Sequence, residues 1–294
     1  MIKIRHYQTG EVLHELELES LVGADLHDMD LSGADMREMY LEGANLINAN
    51  LSNARLDSAD LVGANLQGAN LTDSILLNTH LENANLHGAN LHQATLGDGN
   101  RAHAAILRGA NLDQANLSRT RMRHVDLRNA SLVGADLTHS DSRNASFANA
   151  NMLEIIASHS LFIDADLHNA NLEKSDLRDT HFNEANLSHA NLSHVNLGSK
   201  HPAGFSVINL ANMESANLTG AQLGNVWAEL VNMRRANLTD ADLTHAVMGG
   251  ASLHNAIVTR ANFQDVELVT VMMEFANFSE ALNADVPAIK RQLR

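Results

Sequence analysis

The chain has 294 residues, 45% hydrophobic but only 3% aromatic, with no cysteine and a formal net charge of −15 at pH 7. Without cysteine there is no disulfide framework, no Cys-ligated metal and no Cys nucleophile, and the negative balance argues against direct nucleic-acid binding. No apolar run reaches membrane-spanning length, and Met1-Ile2-Lys3-Ile4-Arg5-His6 does not read as a secretory leader, so a cytoplasmic location is the expectation.

Residues 1–15 come first. Ile2, Ile4, Val12 and Leu13 flank Gln8-Thr9-Gly10-Glu11, the pattern of a short hairpin. A repetitive structure needs a polar cap over its first sheet edge, and residues 1–15 are assigned that role.

From residue 16 a five-residue unit takes over. Ala44-Asn45-Leu46-Ile47-Asn48 runs directly into Ala49-Asn50-Leu51-Ser52-Asn53. Each unit has a small residue, Asp or Asn, a large apolar centre and two free positions. Centres recur every five residues from Leu16 to Leu96, from Leu107 to Leu197 and from Ile208 to Phe278, with Ser142, Ala157 and Ala228 as the non-conforming ones. A period of five fits neither an amphipathic helix nor a long strand. Asn and Asp before the centres also compete with helix for backbone hydrogen bonds. The remaining solution is a very short strand with the small residue and the centre inward, then a corner. Gly33, Gly43, Asn48, Asn53, Ser58 and Gly63 stand at the corners, as turn chemistry requires.

These units resemble the A(D/N)LXX consensus of the pentapeptide repeat family over residues 16–278. The resemblance implies an all-β fold, a right-handed quadrilateral β-helix with four units to a coil. That gives about 13 coils, stacked at ~4.8 Å into a solenoid roughly 60 Å long. Residues 20 apart become vertical neighbours, so Asn45, Asn65 and Asn85 form one amide column and Asn50, Asn70 and Asn90 another. Three regions follow: the cap at 1–15, the β-helix at 16–278 with irregular stretches at 97–106 and 198–207, and 279–294.

The first irregular stretch, from Gly97 to His103, slips the register by one residue and reads as a bulged corner, either a tolerated insertion or a recognition bump. The second, Gly198-Ser199-Lys200-His201-Pro202-Ala203-Gly204, allows the same two readings. Between them Thr120, Ser140, Ser160 and Thr180 recur 20 apart at small positions, with Ser142 at a centre. They form an inward hydroxyl column, and bonds to neighbouring carbonyls are favoured over a water-filled void. Ile155 with Ala157, and Val226 with Ala228, read as size swaps within one unit.

Arg108 and Arg128 are 20 apart, as are Arg123 and Arg143, which makes a candidate anion patch or a solvated face relieved by Asp126, Asp136 and Asp141. His139 and His159 should stack, with Asp179 above; a surface pair is favoured over a zinc site. Trp227 occupies an outward position, where packing under a neighbouring side chain is favoured over an exposed contact. At the end, Asp285-Val286-Pro287 resembles a helix start, giving a C-terminal cap helix over 279–294. Its stripe of Val286, Ile289 and Leu293 is the candidate homodimer interface.

No Gly-rich phosphate loop, nucleophile elbow or HExxH is present, so neither enzyme nor cofactor is expected. Some members of the resembled family mimic duplex DNA and engage DNA gyrase or topoisomerase IV. By that resemblance this chain is a protein-binding solenoid with a type II topoisomerase as candidate partner. Asp164, Asp166, Glu173, Asp176, Asp179 and Glu184, on successive corners, are its candidate contacts. The other reading is a structural or interaction scaffold.

Overall fold

The structure is a computed structural model that describes residues 1–199 and 206–288. The chain divides into two compact units, Met1–Phe147 and Ala148–Arg294. Each is a β-helix solenoid whose residues bridge in parallel across 20 positions: Asn45 to Asn65 to Asn85 in the first, Asn151 to Asn171 to Asn191 in the second. Four five-residue units therefore make one coil.

One unit shows why the consensus looks as it does. The N–H of Leu46 donates to the Asn65 carbonyl of the next coil at 2.7 Å, and the N–H of Asn45 donates back to the Ala24 carbonyl at 2.9 Å. The N–H of Ala49 then closes a turn on the Leu46 carbonyl at 3.0 Å. Asn48, the second turn residue, has φ +53, the left-handed value of a type II turn. Gly, Asn and Asp tolerate that conformation best. The residue before the centre locks the corner, because Asn45 Oδ1 accepts the N–H of Ile47. Its amide reaches vertically, as Asn70 Nδ2 donates to Asn50 Oδ1 at 3.1 Å and Asn85 Nδ2 to Asn65 Oδ1 at 3.0 Å. At Asn90 the column steps sideways, since its Nδ2 donates to Thr72 Oγ1, which itself donates to Asn70 Oδ1.

Inward, small residues and centres leave no exposed surface: Ala44, Leu46, Ala64 and Leu66 are fully buried. Phe162 and Phe182 stack at 4.8 Å between ring centroids, one strand spacing. Ile155 and Ala157, and likewise Val226 and Ala228, are all buried, so each swapped unit still fills its level. The buried hydroxyls bond locally: Thr120 Oγ1 donates to the Leu117 carbonyl at 2.6 Å, and Thr180 Oγ1 to that of Leu177. Ser140 and Ser142 lie 3.5 Å apart through their hydroxyls.

At the start of the first unit, β1 (Ile2–His6) and β2 (Val12–Leu16) pair antiparallel. β1 also pairs antiparallel with β3 (Ala34–Asp35), and Ile4 is fully buried, so the hairpin covers an edge of the first coils. Of the expected C-terminal helix, residues 279–287 form no helical turn, and residues 289–294 lie outside the described residues.

The first irregular stretch is not a one-residue bulge. His80 bridges Ile106, Asn85 bridges Asn111 and Asn90 bridges Asn116, a separation of 26 instead of 20. Six residues are looped out, and the register is intact on both sides. No large apolar residue stands between Gly97 and Ala105, so no unit can be laid into the coil there. The loop leaves β4 (Thr95–Gly97), which pairs in parallel with β5 (Arg121–Met122). It is closed on itself: Asn100 caps a 3-10 turn at Arg101–His103, and His103 Nδ1 lies 3.0 Å from Asp98 Oδ2. That bond holds the Asp98 carboxyl below its ordinary value. In the second unit His181 bridges Val207 and Asn186 bridges Asn212, again 26 apart. Residues 200–205 of that stretch lie outside the described residues.

Candidate interaction surfaces

Outward side chains lie in three vertical rows per face: the residue before each centre and the two turn residues. In the first unit the candidate arginines occupy the first turn row, each beside an aspartate from the row before the centre. Arg108 Nε donates to Asp126 Oδ2 at 2.7 Å, while Arg128 grips the same carboxylate through Nε and Nη2 at 2.8 and 2.7 Å. One corner away Arg123 Nε donates to Asp141 Oδ2 at 2.6 Å, and Arg143 grips Asp141 through Nε and Nη2 at 2.8 and 2.7 Å. Each pair of stacked arginines is thus clamped around one carboxylate. Burial alone would push the Asp126 carboxyl up, but hydrogen bonds from Arg128 and Arg108 outweigh it and hold it at about 2. Asp136 takes no part in the clamps; its carboxylate accepts from Thr138.

In the second unit the six candidate carboxylates separate into two kinds. Asp176 is gripped by Arg178, whose hydrogen bonds hold its carboxyl below the ordinary value. Asp166 accepts from His168 at 2.8 Å, Glu173 lies 3.5 Å from Lys174, and Asp179 lies 3.9 Å from His159. Asp164 and Glu184 have no ion pair among the described residues. Both are exposed second turn residues, with φ +56 and +60, on successive coils.

His139 falls in the first unit and His159 in the second. Among the described residues no group of three or more His, Cys, Asp or Glu is placed to hold a metal. Val286 is half-buried, whereas Ile289 and Leu293 lie outside the described residues.

Trp227 is 50% exposed, bridged to Val207 on one side and Val247 on the other. Three positions further along the chain Leu210 and Leu230 stack in the second turn row, 52% and 59% exposed. Among the described residues Ile156 is the only exposed large apolar side chain between Tyr40 and Leu210, yet from Leu210 to Leu282 such side chains recur coil after coil. Sequence reasoning singled out Trp227 but favoured its being packed under a neighbour, whereas half of it is exposed, and it missed the leucines. The available signal was local: Leu210 and Leu230 hold the left-handed corner, at φ +60 and +55, where glycine and short polar residues predominate.

The family model for pentapeptide repeats matches residues 20–57, 37–73, 64–98, 105–141, 160–198, 216–255 and 236–274. The chain belongs to the pentapeptide repeat family. Among solved structures it is similar to HetL, a pentapeptide repeat protein involved in heterocyst differentiation regulation from the cyanobacterium Nostoc sp. strain PCC 7120. Identity there is 27%, over 83% of this chain and 90% of that one, with a TM-score of 0.28. Full-length QnrB1, a plasmid-mediated fluoroquinolone resistance protein, is 16% identical over 93% of this chain and 94% of its own, with a TM-score of 0.25. A pentapeptide repeat protein of the Arabidopsis thaliana thylakoid lumen is 25% identical over 42% of this chain and 64% of its own, with a TM-score of 0.20. No curated protein matches the chain. As a pentapeptide repeat protein the chain owes its ladders and corners to the family consensus, whereas the clamp arginines, Asp164, Glu184, Leu210 and Leu230 stand at its free positions, and Val207, Trp227 and Val247 replace the Asp or Asn of the consensus. Among the described residues no helix is long and apolar enough to cross a membrane.

Proposed function

We propose that this pentapeptide repeat protein is a non-enzymatic, cytoplasmic protein-binding solenoid, and that its acidic surface engages the basic DNA-binding groove of a type II topoisomerase such as DNA gyrase or topoisomerase IV. The observation that carries this reading is the stacking of Asp164 and Glu184 on successive coils with no ion pair to either among the described residues, on a chain of net charge −15. Two carboxylates on successive coils of one scaffold give a directed negative field, which steers and orients a basic partner. Asp166, Glu173, Asp176 and Asp179 add net charge but are already engaged by neighbours.

The test is a supercoiling assay with gyrase and with topoisomerase IV at low and high salt. Inhibition or protection should weaken steeply with salt, because exposed charges are screened beyond about 10 Å at 0.1 M. Duplex DNA should compete. Asp164→Lys with Glu184→Lys should reduce the effect, and Arg123→Ala should not. If neither enzyme responds at low salt, the topoisomerase reading is wrong. The internal pairing of four of the six carboxylates favours the second reading, an interaction scaffold without topoisomerase activity. The clamped arginines Arg108, Arg123, Arg128 and Arg143 are proposed as a secondary anion patch. A homodimer through the C-terminal end, using Val286, Ile289 and Leu293, completes the proposal; a monomer in sedimentation at micromolar concentration removes it.

A further inference from the structure

The apolar rows of the second unit flank two glycines. Val207, Trp227 and Val247 form one row, and Leu210 with Leu230 another. Between and beneath them the next coil carries Gly249 and Gly250, which supply no side chains. A Cβ on Gly250 would stand 2.6 Å from Leu230 Cδ2, so the leucine lies directly over the glycine backbone. A Cβ on Gly249 would stand 3.7 Å from Glu229 Oε1, so the carboxylate of Glu229 hangs over the bare first turn position. Glu229 has no ion pair among the described residues. The result is a shallow notch beside Gly249, walled by Trp227, Val247 and Leu230 and carrying a carboxylate with no ion partner among the described residues.

Stability does not explain these choices. Leu210 and Leu230 adopt a left-handed backbone that disfavours bulky side chains, and they leave half their surface in water. Contiguous exposed apolar surface with a polar rim marks an interaction site, and the exposed carboxylate of Glu229 beside it favours a cation over an anion.

We propose that this notch docks an extended segment of another protein in which a Lys or Arg lies between two large apolar residues, the cation meeting Glu229 and the apolar side chains meeting Trp227 with Val247 and Leu230. The inference rests on the reading of the chain as a protein-binding solenoid, but not on a topoisomerase partner.

Trp227 is the single tryptophan, so its emission reports the site without a label. The probe is a capped synthetic peptide with Leu-Ser-Lys-Ser-Leu in a Gly-Ser frame. Its three contact residues are spaced by two, so an extended chain turns them to one side. Titrated into the full chain, it should shift Trp227 emission to the blue and saturate. The counterpart with Glu in place of Lys should bind at least ten-fold more weakly, and so should one with Ser in place of both Leu. Glu229→Lys should reverse the charge preference. Gly249→Val should weaken binding at least ten-fold at an unchanged unfolding midpoint, since Val62 and Val133 already occupy the equivalent turn position.

The proposal is overturned by an absence of saturable shift, by equal binding of the Lys and Glu peptides, or by indifference to both Gly249→Val and Glu229→Lys. It is equally overturned if Trp227 emission shifts with protein concentration alone while the sedimenting mass doubles, because a second copy then occupies the notch. No topoisomerase enters this experiment, so its failure and that of the topoisomerase reading are separable.

Discussion

A Cβ on Gly97 would stand 2.1 Å from the carbonyl oxygen of Arg123. The neighbouring coil's backbone therefore passes directly over the point where the six-residue loop departs, and only glycine leaves room. Real Cβ atoms do not make such contacts, and here the obstacle is backbone, which cannot swing aside as a side chain would. Gly97→Ala should destabilise the first unit by about 1–3 kcal/mol through overpacking. Urea unfolding followed by circular dichroism measures it. A variant as stable as the parent would mean that β4 and β5 are not seated as described.

The core gives a sharper expectation. Leu66 is fully buried between the equivalent centres of adjacent coils, Leu46 and Leu86. Leu66→Ala should lose about 2–5 kcal/mol, because stacked coils cannot collapse into the void. Leu66→Asp should unfold or aggregate the chain, since it buries a charge with no partner. A soluble, cooperatively folding Leu66→Asp protein would contradict the inward placement of the centres.

The clamp of Arg108 and Arg128 on Asp126 predicts a pH signature. Asp126 titrates at about 2 in the folded chain, below its ordinary 3.8. A depressed folded value means that its contribution is complete above the unfolded value and is lost as pH falls from about 4 towards 2. At pH 7 Asp126→Asn should cost about 1–2 kcal/mol, because Arg108 and Arg128 are left stacked as like charges. The stability gap between the parent and Asp126→Asn should then narrow from pH 5 to pH 2.5. A gap that stays constant over that range would show that the carboxylate is not what the two arginines hold.

Much of this was legible in the sequence, for reasons visible at particular residues. Leu46, Leu66 and Leu86 announce the coil because every fifth residue must be apolar, and Asn50 lies beneath Asn70 because four such units make a turn. The size of the first loop was not legible. An insertion of six shifts a five-residue register by one, so counting centres from Leu96 to Leu107 cannot tell a bulge from a full extra unit. Only the bridge from His80 to Ile106 decides it. Spacing also set Arg108 over Arg128 but could not say that Asp126 would be shared between them, since that depends on side-chain reach. The apolar rows were hidden because Leu230 looks like any other leucine until its corner position is known.

Leu230 separates packing from binding. Its left-handed backbone costs an L-residue roughly 1–2 kcal/mol. The fraction of the side chain that is covered returns a similar amount at ~25 cal/mol per Å² of apolar surface. Replacing it with Asn, which tolerates that conformation and fills many equivalent corners, should therefore change stability by less than about 0.5 kcal/mol, the ordinary range for surface substitutions. Leu210→Asn should behave the same way, and the two effects should not be strictly additive, because the leucines stack on adjacent coils. Both variants should nevertheless weaken binding of the Leu-Ser-Lys-Ser-Leu peptide several-fold, as read by Trp227 emission. A stability loss of about 2 kcal/mol or more, the size expected of a core truncation, would make Leu230 a packing residue of the coil. A retained stability with lost binding assigns these leucines to a partner.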